Sequence, residues 1–271
     1  MPEKTCNAIV TGGASGLGRA ICLRLARDGW NLAICDVNEA GARETLEQVE
    51  QAGGSGHVET FDVTDFDQWQ ALRERLRARW QQLDLLVNNA GVAGAGAVSE
   101  YSIEDWRWMM GVNLWNGIYG CHTLVPWLKE NPRGAHIINT ASAASFGSLP
   151  TMAAYNVTKA GMVALSETLY AELKNSGIGV TVLCPAFFRT NLLNEARFVR
   201  EDQRDMGQKQ FQEAKMTADN VAAAAIDAMH KKRLYVVMPR DARVHWYMKR
   251  LMPARVMNRV AAAFRNGVLK I

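Results

Sequence analysis

The chain has 271 residues, of which 48% are hydrophobic and 21% are charged, and its formal net charge is +4. This length and balance predict one globular α/β domain with a substantial core. No window approaches twenty uninterrupted apolar residues, which argues against a membrane-spanning helix. The opening segment, MPEKTCNAIVTGG, lacks a long apolar stretch before a small-residue cleavage site, so we expect a mature domain rather than a signal peptide.

The cysteines are odd in number and scattered, and they form no CxxC motif or Cys/His cluster. We therefore expect reduced, buried thiols in a cytoplasmic protein and no metal site. The five are Cys6, Cys22, Cys35, Cys121 and Cys184.

Short β-rich runs alternate with longer stretches of helical period along most of the chain. The strand candidates are NAIVT, NLAIC, HVETFDV, DLLVNN, HIINTAS, GVTVLCP and LYVVM. Because these strands are apolar nearly throughout, the pattern predicts a parallel sheet covered by helices on both faces. This is the Rossmann-type doubly wound fold, which binds ligands at the carboxyl ends of its strands.

Two segments depart from this alternation. Residues 187–216, called the lid segment below, are long and charge-rich in the middle, so we expect a lid over the site. We expect its polar part, residues 206–215, to be mobile without substrate. Residues 241–271 are predicted to form a separate basic, amphipathic extension after a catalytic domain that spans residues 1–240.

A glycine-rich turn, TGGASGLG, follows the first strand and opens the first helix. Gly12, Gly16 and Gly18 fit the tight turn, the close backbone approach and the helix–strand contact of a pyrophosphate site. Their spacing is GxxxGxG rather than GxGxxG, and a glycine-rich loop without a ligand would look similar. The second strand ends at Asp36, whose carboxylate can accept hydrogen bonds from an adenosine ribose but repels a 2′-phosphate. No arginine follows to compensate, so NAD is favoured over NADP.

The stretch AAYNVTKAG places Tyr155 and Lys159 four positions apart in a predicted helix, on the same face. A cation beside a phenol favours the phenolate, and we expect Lys159 to lower the pKa of Tyr155 in this way. By itself such a pair is most often solvated surface.

Taken together, these motifs resemble the short-chain dehydrogenase/reductase family over nearly the whole chain up to about residue 240. The glycine turn, the DV pair, the NNAG motif, an Asn in the next helix, a Ser and YxxxK occur in the family's order. Here they are TGGASGLG, Asp62 and Val63, residues 88–91, Asn113, Ser142, and Tyr155 with Lys159.

The resemblance implies a catalytic set of Asn113, Ser142, Tyr155 and Lys159, with Tyr155 as general acid/base and no metal. Ser142 would hold the substrate oxygen, and Asn113 would help to position a water in a proton relay. The chain departs from the family's pattern at one point, because Pro185 is followed by alanine where the family usually has glycine. The implied cofactor contacts are Gly12, Ser15, Gly16, Leu17, Gly18, Asp36, Asp62, Val63, Asn89, Ala90, Gly91, Tyr155, Lys159, Pro185 and Thr190.

The substrate leaves a weaker signal in the lid segment. The apolar residues there fit either a cover over the nicotinamide or ordinary packing. If they line a pocket, the substrate is a small hydrophobic secondary alcohol or ketone, such as a steroid, a retinoid or a long-chain lipid alcohol. These residues are Phe187, Phe188, Leu192, Leu193 and Phe198.

The C-terminal stretch is strongly basic. From residue 231 to the end, eleven lysines and arginines accompany one acid, Asp241, giving +10 against −6 for the rest. Apolar residues recur at helical spacing on both sides of Pro253, which suits the first turn of a second helix. This extension would fold over the active site, pack on a partner subunit, or contact a membrane surface peripherally. No aromatic platform accompanies the charge, so nucleic acid is not expected.

These patterns predict an NAD-dependent oxidoreductase that interconverts a hydrophobic secondary alcohol and its ketone. Members of this family are usually dimers or tetramers, so the resemblance implies a homodimer or homotetramer. Two alternatives remain open: an NADPH-dependent ketone or ketoacyl reductase, and a non-catalytic dinucleotide sensor or membrane-surface scaffold. The substrate's identity and the direction of the reaction are not encoded in any recognisable motif.

Overall fold

The structure is a computed structural model that describes residues 5–267. Its main element is a sheet of seven strands, all paired in parallel. The strand order is β3-β2-β1-β4-β6-β7-β9, and a two-stranded sheet pairs β5 with β8. The strands are β1 Asn7–Thr11, β2 Asn31–Asp36, β3 Ser55–Thr60, β4 Leu85–Asn88, β5 Gly94–Ala95, β6 Ala135–Thr140, β7 Ile178–Pro185, β8 Arg197–Phe198 and β9 Tyr235–Met238.

Side chains alternate between two cores along each central strand. Val10 of β1 lies in one buried cluster and Ile9 in the other, on the opposite face of the sheet. Val87 and Leu86 of β4 divide in the same way. This period of two fills both faces with apolar side chains, so the central strands are apolar nearly throughout.

Helices cover both faces of the sheet and form the regions around its carboxyl-terminal edge. They are α1 Gly16–Ala26, α2 Glu39–Gln51, α3 Phe66–Arg77, α4 Ile103–Met110, α5 Asn116–Lys129, α6 Ala144–Gly147, α7 Ala153–Glu172, α8 Glu201–Gln212, α9 Ala218–His230, α10 Arg240–Leu251 and α11 Pro253–Arg265. A π-helical turn, Gly111–Trp115, joins α4 to α5.

Local capping explains where several helices begin. Asn38, Asp65 and Ser102 each accept a hydrogen bond from a backbone N–H in the first turn of α2, α3 and α4. Thr217 and Asn220 form a reciprocal capping box at the start of α9. These polar side chains satisfy N–H groups that have no partner within the helix.

The predicted fold class is confirmed: a doubly wound parallel sheet in a single domain. All seven predicted strands are present in the sheet, in parallel. Within residues 5–267, no helix is both long and apolar enough to cross a bilayer. The five cysteines are free, and no cluster of metal-ligating side chains occurs in the described part of the chain.

The lid segment is more regular than the sequence indicated. It contributes β8 and α8, and the polar stretch 206–215 that we expected to be mobile lies largely in α8. The extension forms α10 and α11, with Pro253 at the start of α11 as predicted. The division into a catalytic domain and an extension at residue 240 stays a prediction.

A buried histidine links the sheet to the pH dependence of stability. His136 lies on β6 and is 5% exposed. Its Nε2 lies 2.8 Å from Thr181 Oγ1, and that hydroxyl donates to the Arg233 carbonyl. Burial, with Lys232 and His230 nearby, lowers the pKa of His136 from 6.5 to about 4. The folded protein therefore binds a proton here less readily than the unfolded chain.

We expect this histidine to destabilise the protein as the pH falls from about 6.5 to about 4. Above about pH 6.5 the contribution of His136 to stability is fully retained. As the pH falls through this window, the free energy of unfolding falls by about 3 kcal/mol. Denaturant unfolding of the wild type and His136→Gln at pH 7 and 4.5 measures the effect.

Glutamine can still donate to Thr181 but does not titrate, so His136→Gln should lose less stability on acidification than the wild type. The exposed His122 supplies the control, as His122→Gln should behave like the wild type. Equal acid sensitivity in the wild type and His136→Gln would contradict this account.

Candidate active site

A cavity of about 520 Å³ opens at the carboxyl ends of the strands. Residues from the turn after β1, the ends of β2, β4, β6 and β7, helix α7, the lid segment and α10 line it. This is the position that a doubly wound sheet prepares for a ligand, because the loops after its strands diverge there. One continuous cavity therefore holds both the glycine turn and the Tyr155–Lys159 pair.

The glycine turn has backbone geometry that other residues would not tolerate. Gly12 and Gly16 have φ of +66° and +52°, in the left-handed region. A Cβ on Gly18 would lie 1.9 Å from the Gly12 carbonyl oxygen, so α1 packs directly on the turn. Gly12 and Gly16 line the cavity, whereas Gly18 lies behind them as a packing residue.

The start of α1 is open to a ligand. Ser15, at its N-cap, makes no capping hydrogen bond with its side chain and lines the cavity beside Leu17. The N–H groups of the first helical turn and the helix dipole both favour an anion at such an end. The turn and the helix start therefore fit the pyrophosphate of a dinucleotide.

Asp36, at the end of β2, lines the same end of the cavity. Its two carboxylate oxygens accept hydrogen bonds from the N–H groups of Ala14 and Asn38, each at 3.0 Å. These bonds hold the carboxylate beside the glycine turn, and each oxygen keeps a further lone pair for a ribose hydroxyl. The nearby Arg19 is paired with Glu44 and is not among the residues that line the cavity.

The NNAG motif is tied to the glycine turn. Asn89 donates to the carbonyls of Thr11 and Gly12, while the Thr11 hydroxyl accepts from the backbone N–H groups of Asn89 and Ala90. Asn89, Ala90 and Gly91 line the cavity as a result. The first asparagine, Asn88, is instead buried beneath the floor and donates to Asn139.

Asn113 lies in the π-helical turn and does not line the cavity. Its side chain accepts from the Val92 N–H at 2.8 Å and donates to the Val92 carbonyl at 2.9 Å. Those bonds fix the chain after the NNAG motif. The Asn113 side chain is therefore a positioning group here, and its predicted part in a proton relay stays a prediction.

Tyr155, Ser142 and Lys159 meet at the centre of the cavity. The Ser142 side chain lies close enough to Tyr155 to lower the pKa of the phenol, and its hydroxyl donates to the Pro185 carbonyl at 3.4 Å. Lys159 Nζ lies 5.7 Å from the Tyr155 ring centroid and donates to the Thr140 carbonyl at 3.1 Å. Tyr155 and Lys159 are 8% and 4% exposed. A phenol, a hydroxyl and an ammonium group thus line one cavity, with the phenol and the ammonium group buried.

Burial shifts both ionisable groups towards their neutral forms. It raises the pKa of Tyr155, although the Ser142 side chain acts in the opposite direction. It lowers the pKa of Lys159 to about 8. The expectation of a lowered pKa for Tyr155 is therefore wrong for the protein alone, because desolvation is the largest influence on this phenol and acts in the opposite direction.

The substitution after Pro185 is accommodated without strain. Ala186 is not among the residues with positive φ, and its N–H donates to the Met238 carbonyl at 2.8 Å. Pro185, Ala186 and Thr190 all line the cavity. The alanine in place of the family's glycine therefore leaves this wall intact.

Two predicted cofactor contacts lie apart from the cavity. Asp62 is exposed, and its carboxylate accepts from the N–H and hydroxyl of Thr64. Val63 is buried in the core, where its carbonyl accepts from Trp69. The structure does not bring either side chain to the cavity, so a contact with adenine stays a prediction.

The lid residues named from the sequence, Phe187, Phe188, Leu192, Leu193 and Phe198, all line the cavity. Sequence reasoning missed further lining residues in two helices. These are Gln203, Gln210 and Phe211 of α8 and Ala242 and His245 of α10. Gln210 and Phe211 lie in the stretch 206–215, which we expected to be mobile because it is polar, and Gln203 lies just before that stretch. Residues 203, 207, 210 and 211 nevertheless fall on one helical face. Helix α10 thus brings Ala242 and His245 of the extension to the cavity, as expected if the extension folds over the active site.

The described residues match known proteins over most of their length. The family model for short chain dehydrogenases matches residues 6–201. A curated relative in Mycobacterium tuberculosis, named Probable oxidoreductase EphD, is 32% identical over 90% of this chain and 43% of its own length. The 1-deoxy-11-beta-hydroxypentalenate dehydrogenase of Streptomyces exfoliatus is 30% identical over 90% of this chain and 86% of its own.

A solved structure supports the same relationship. The short-chain dehydrogenase/reductase of Burkholderia phymatum, solved in complex with NAD, superimposes with a TM-score of 0.81. It is 32% identical and covers 87% of this chain and 89% of that one. The chain belongs to the short-chain dehydrogenase/reductase family, a family of oxidoreductases. It spans less than half the length of the mycobacterial relative.

Proposed function

We propose that this chain is an NAD-dependent oxidoreductase that interconverts a hydrophobic secondary alcohol and its ketone. The observation that carries the proposal is one cavity lined by Tyr155, Ser142 and the buried Lys159 together with the apolar residues of the lid segment. The S. exfoliatus relative is named as the dehydrogenase of a hydroxylated compound, which supports an alcohol as the reacting group.

Tyr155 would act as the acid/base and Ser142 as the group that holds the substrate oxygen. In the oxidation, Tyr155 in its phenolate form takes the hydroxyl proton while the C=O bond forms. The Ser142 hydroxyl donates to the same oxygen and stabilises its developing charge. NAD, when bound, supplies the acceptor for the hydride that leaves the alcohol carbon.

Lys159 would supply positive charge within reach of the phenol. Its pKa of about 8 leaves it mostly protonated at neutral pH despite its burial. In a site with so little water, a charge at this separation acts more strongly than it would in solution. Lys159 would also bind the nicotinamide ribose, as the family resemblance implies.

Oxidation of secondary alcohols tests this function. We expect NADH formation from NAD to increase with the apolar size of the alcohol across a panel, because the lid residues surround the cavity with apolar surface. Tyr155→Phe removes the acid/base group, and we expect kcat to fall by about 10²-fold or more.

The control is NAD binding, which calorimetry should find little changed in Tyr155→Phe. NAD binding without turnover of any alcohol, or of the matching ketones with NADH, would favour the sensor alternative. Full turnover in Tyr155→Phe would overturn the assigned mechanism.

NAD rather than NADP is proposed as the cofactor, because of the Asp36 carboxylate. Asp36→Ala removes the charge that opposes a 2′-phosphate, and we expect the ratio of kcat/KM for NAD to that for NADP to fall at least about tenfold. Steady-state kinetics with both cofactors measure the ratio.

Glu39→Ala provides a matched control, since Glu39 is a nearby exposed carboxylate paired with Arg43. It should leave the cofactor ratio unchanged. A wild-type enzyme that uses NADP as well as NAD would instead support the ketone or ketoacyl reductase alternative.

For partners, we propose a homodimer or homotetramer and a peripheral membrane contact through the C-terminal extension. Apolar side chains of α10 and α11 remain exposed, Leu251 by 80% and Phe264 by 42%. Arginines accompany them on both helices, which fits an anionic lipid surface. A cytoplasmic location remains a prediction from the sequence.

A further inference from the structure

The inner face of α8 combines apolar and amide side chains in an unusual way. Gln203, Gly207, Gln210 and Phe211 recur at helical spacing and all line the cavity. The opposite face is exposed and polar, as on an ordinary surface helix. An inner face normally carries apolar residues, so the two amides require an explanation.

Gln203 is the more informative of the two because it is 2% exposed. Its Oε1 accepts from the Arg200 N–H at 3.3 Å and so helps to begin the helix. Within residues 5–267, its Nε2 group has no hydrogen-bond partner. This nitrogen is not among the fully buried unpaired polar atoms of the described residues, so it keeps some exposure, and Gln203 lines the cavity. The amide oxygen of Gln203 is therefore used by the fold, and its Nε2 group is available to a ligand.

The surroundings of these amides are apolar and closely packed. Phe211 and Phe187 form an edge-to-face pair with ring centroids 5.3 Å apart. Gly207 faces the side chains of Leu193 and Phe198, which lie 3.4 Å and 3.8 Å from the position of a Cβ at this residue. Gln210 is half-buried and, in the described part of the chain, has no hydrogen-bond partner. The lid therefore holds two amides against an otherwise apolar wall.

The charges around the cavity restrict what the amides can bind. Among the described lining residues, Lys159 is the one lysine or arginine, and the carboxylates are Asp36 and Glu195. His245 also lines the cavity, and burial beside Lys249 lowers its pKa below the usual 6.5, which keeps it neutral at pH 7. A carboxylate bound at these amides inside the cavity would therefore have no lysine or arginine other than Lys159 among the described lining residues.

We propose that Gln203 and Gln210 form a subsite for a neutral oxygen of the substrate, remote from the carbon that is oxidised. The substrate class is then an apolar alcohol with a second oxygen at its far end, such as a hydroxyketone or a diol. This inference rests on the proposed function, which it narrows. The amide donors would discriminate because an apolar analogue leaves them unpaired.

Matched substrates test the subsite. The panel contains cyclohexanol, decahydronaphthol and a saturated steroid alcohol, each beside an analogue with a ketone at the ring carbon farthest from the hydroxyl. A third compound in each set carries a carboxylate at that ring carbon in place of the ketone. For at least one ring size we expect the ketone to raise kcat/KM about tenfold, mainly through KM, and the carboxylate to lower it.

Two variants isolate the Nε2 donor. Gln203→Glu keeps the acceptor for the Arg200 N–H but loses the donors, and Gln203→Met loses both groups at similar length. In each variant the ratio of kcat/KM between ketone-bearing and plain alcohols should fall to about one if Gln203 dominates. Gln208→Glu makes the same exchange on the exposed face of α8 and should leave the ratio unchanged.

The outcomes separate the subsite from the proposed function. If no plain alcohol is oxidised, the proposed function fails, and calorimetric binding of the same pairs to Tyr155→Phe with NAD decides the subsite without turnover. Equal affinity within every pair would overturn the subsite. A preference that survives Gln203→Glu, Gln203→Met and Gln210→Met would do the same, and a preferred carboxylate would overturn the neutral class.

Discussion

Burial of Tyr155 and Lys159 in one cavity is the physical constraint on which the site depends. Desolvation raises the pKa of the phenol and lowers that of the ammonium group, so both are held closer to neutrality than they would be in water. The same dry surroundings strengthen every charge–charge interaction. A catalytic phenolate in this place therefore depends on nearby positive charge, and burial of both side chains makes that charge more effective than it would be in water.

The parallel sheet is what brings these groups together. The glycine turn follows β1, Asp36 ends β2, the NNAG motif follows β4, Ser142 follows β6 and Pro185 ends β7. Strands that run in one direction deliver all of these residues to one edge. Helix α7 then supplies Tyr155 and Lys159 one turn apart, and α8 and α10 cover the cavity from above. The chemistry is thus assembled from residues that are far apart in sequence.

The sequence predicts the strands and the glycine turn of this arrangement well, because both follow from local sequence patterns. Apolar runs identify the strands, and the glycine spacing identifies a turn whose φ values the structure shows to be positive at Gly12 and Gly16. Other features depend on tertiary distances that no local pattern contains. The direction of the Tyr155 pKa shift depends on burial, and the side chain of Asn113 is used by Val92 rather than by the cavity. Gln210 was missed because its stretch, residues 206–215, was expected to be mobile, and Gln203 was missed because no local pattern shows that this glutamine is buried.

The pH dependence of alcohol oxidation at saturating NAD tests the central claim most directly, measured for the wild type beside Lys159→Met. The account predicts that kcat/KM rises with pH as Tyr155 ionises, and that the positive charges of Lys159 and of the bound oxidised nicotinamide bring the apparent pKa below about 10, the value of a free phenol. In Lys159→Met that rise should move to higher pH, because the phenolate loses its nearby cation. A profile identical in the two enzymes, or one that persists in Tyr155→Phe, would contradict the account.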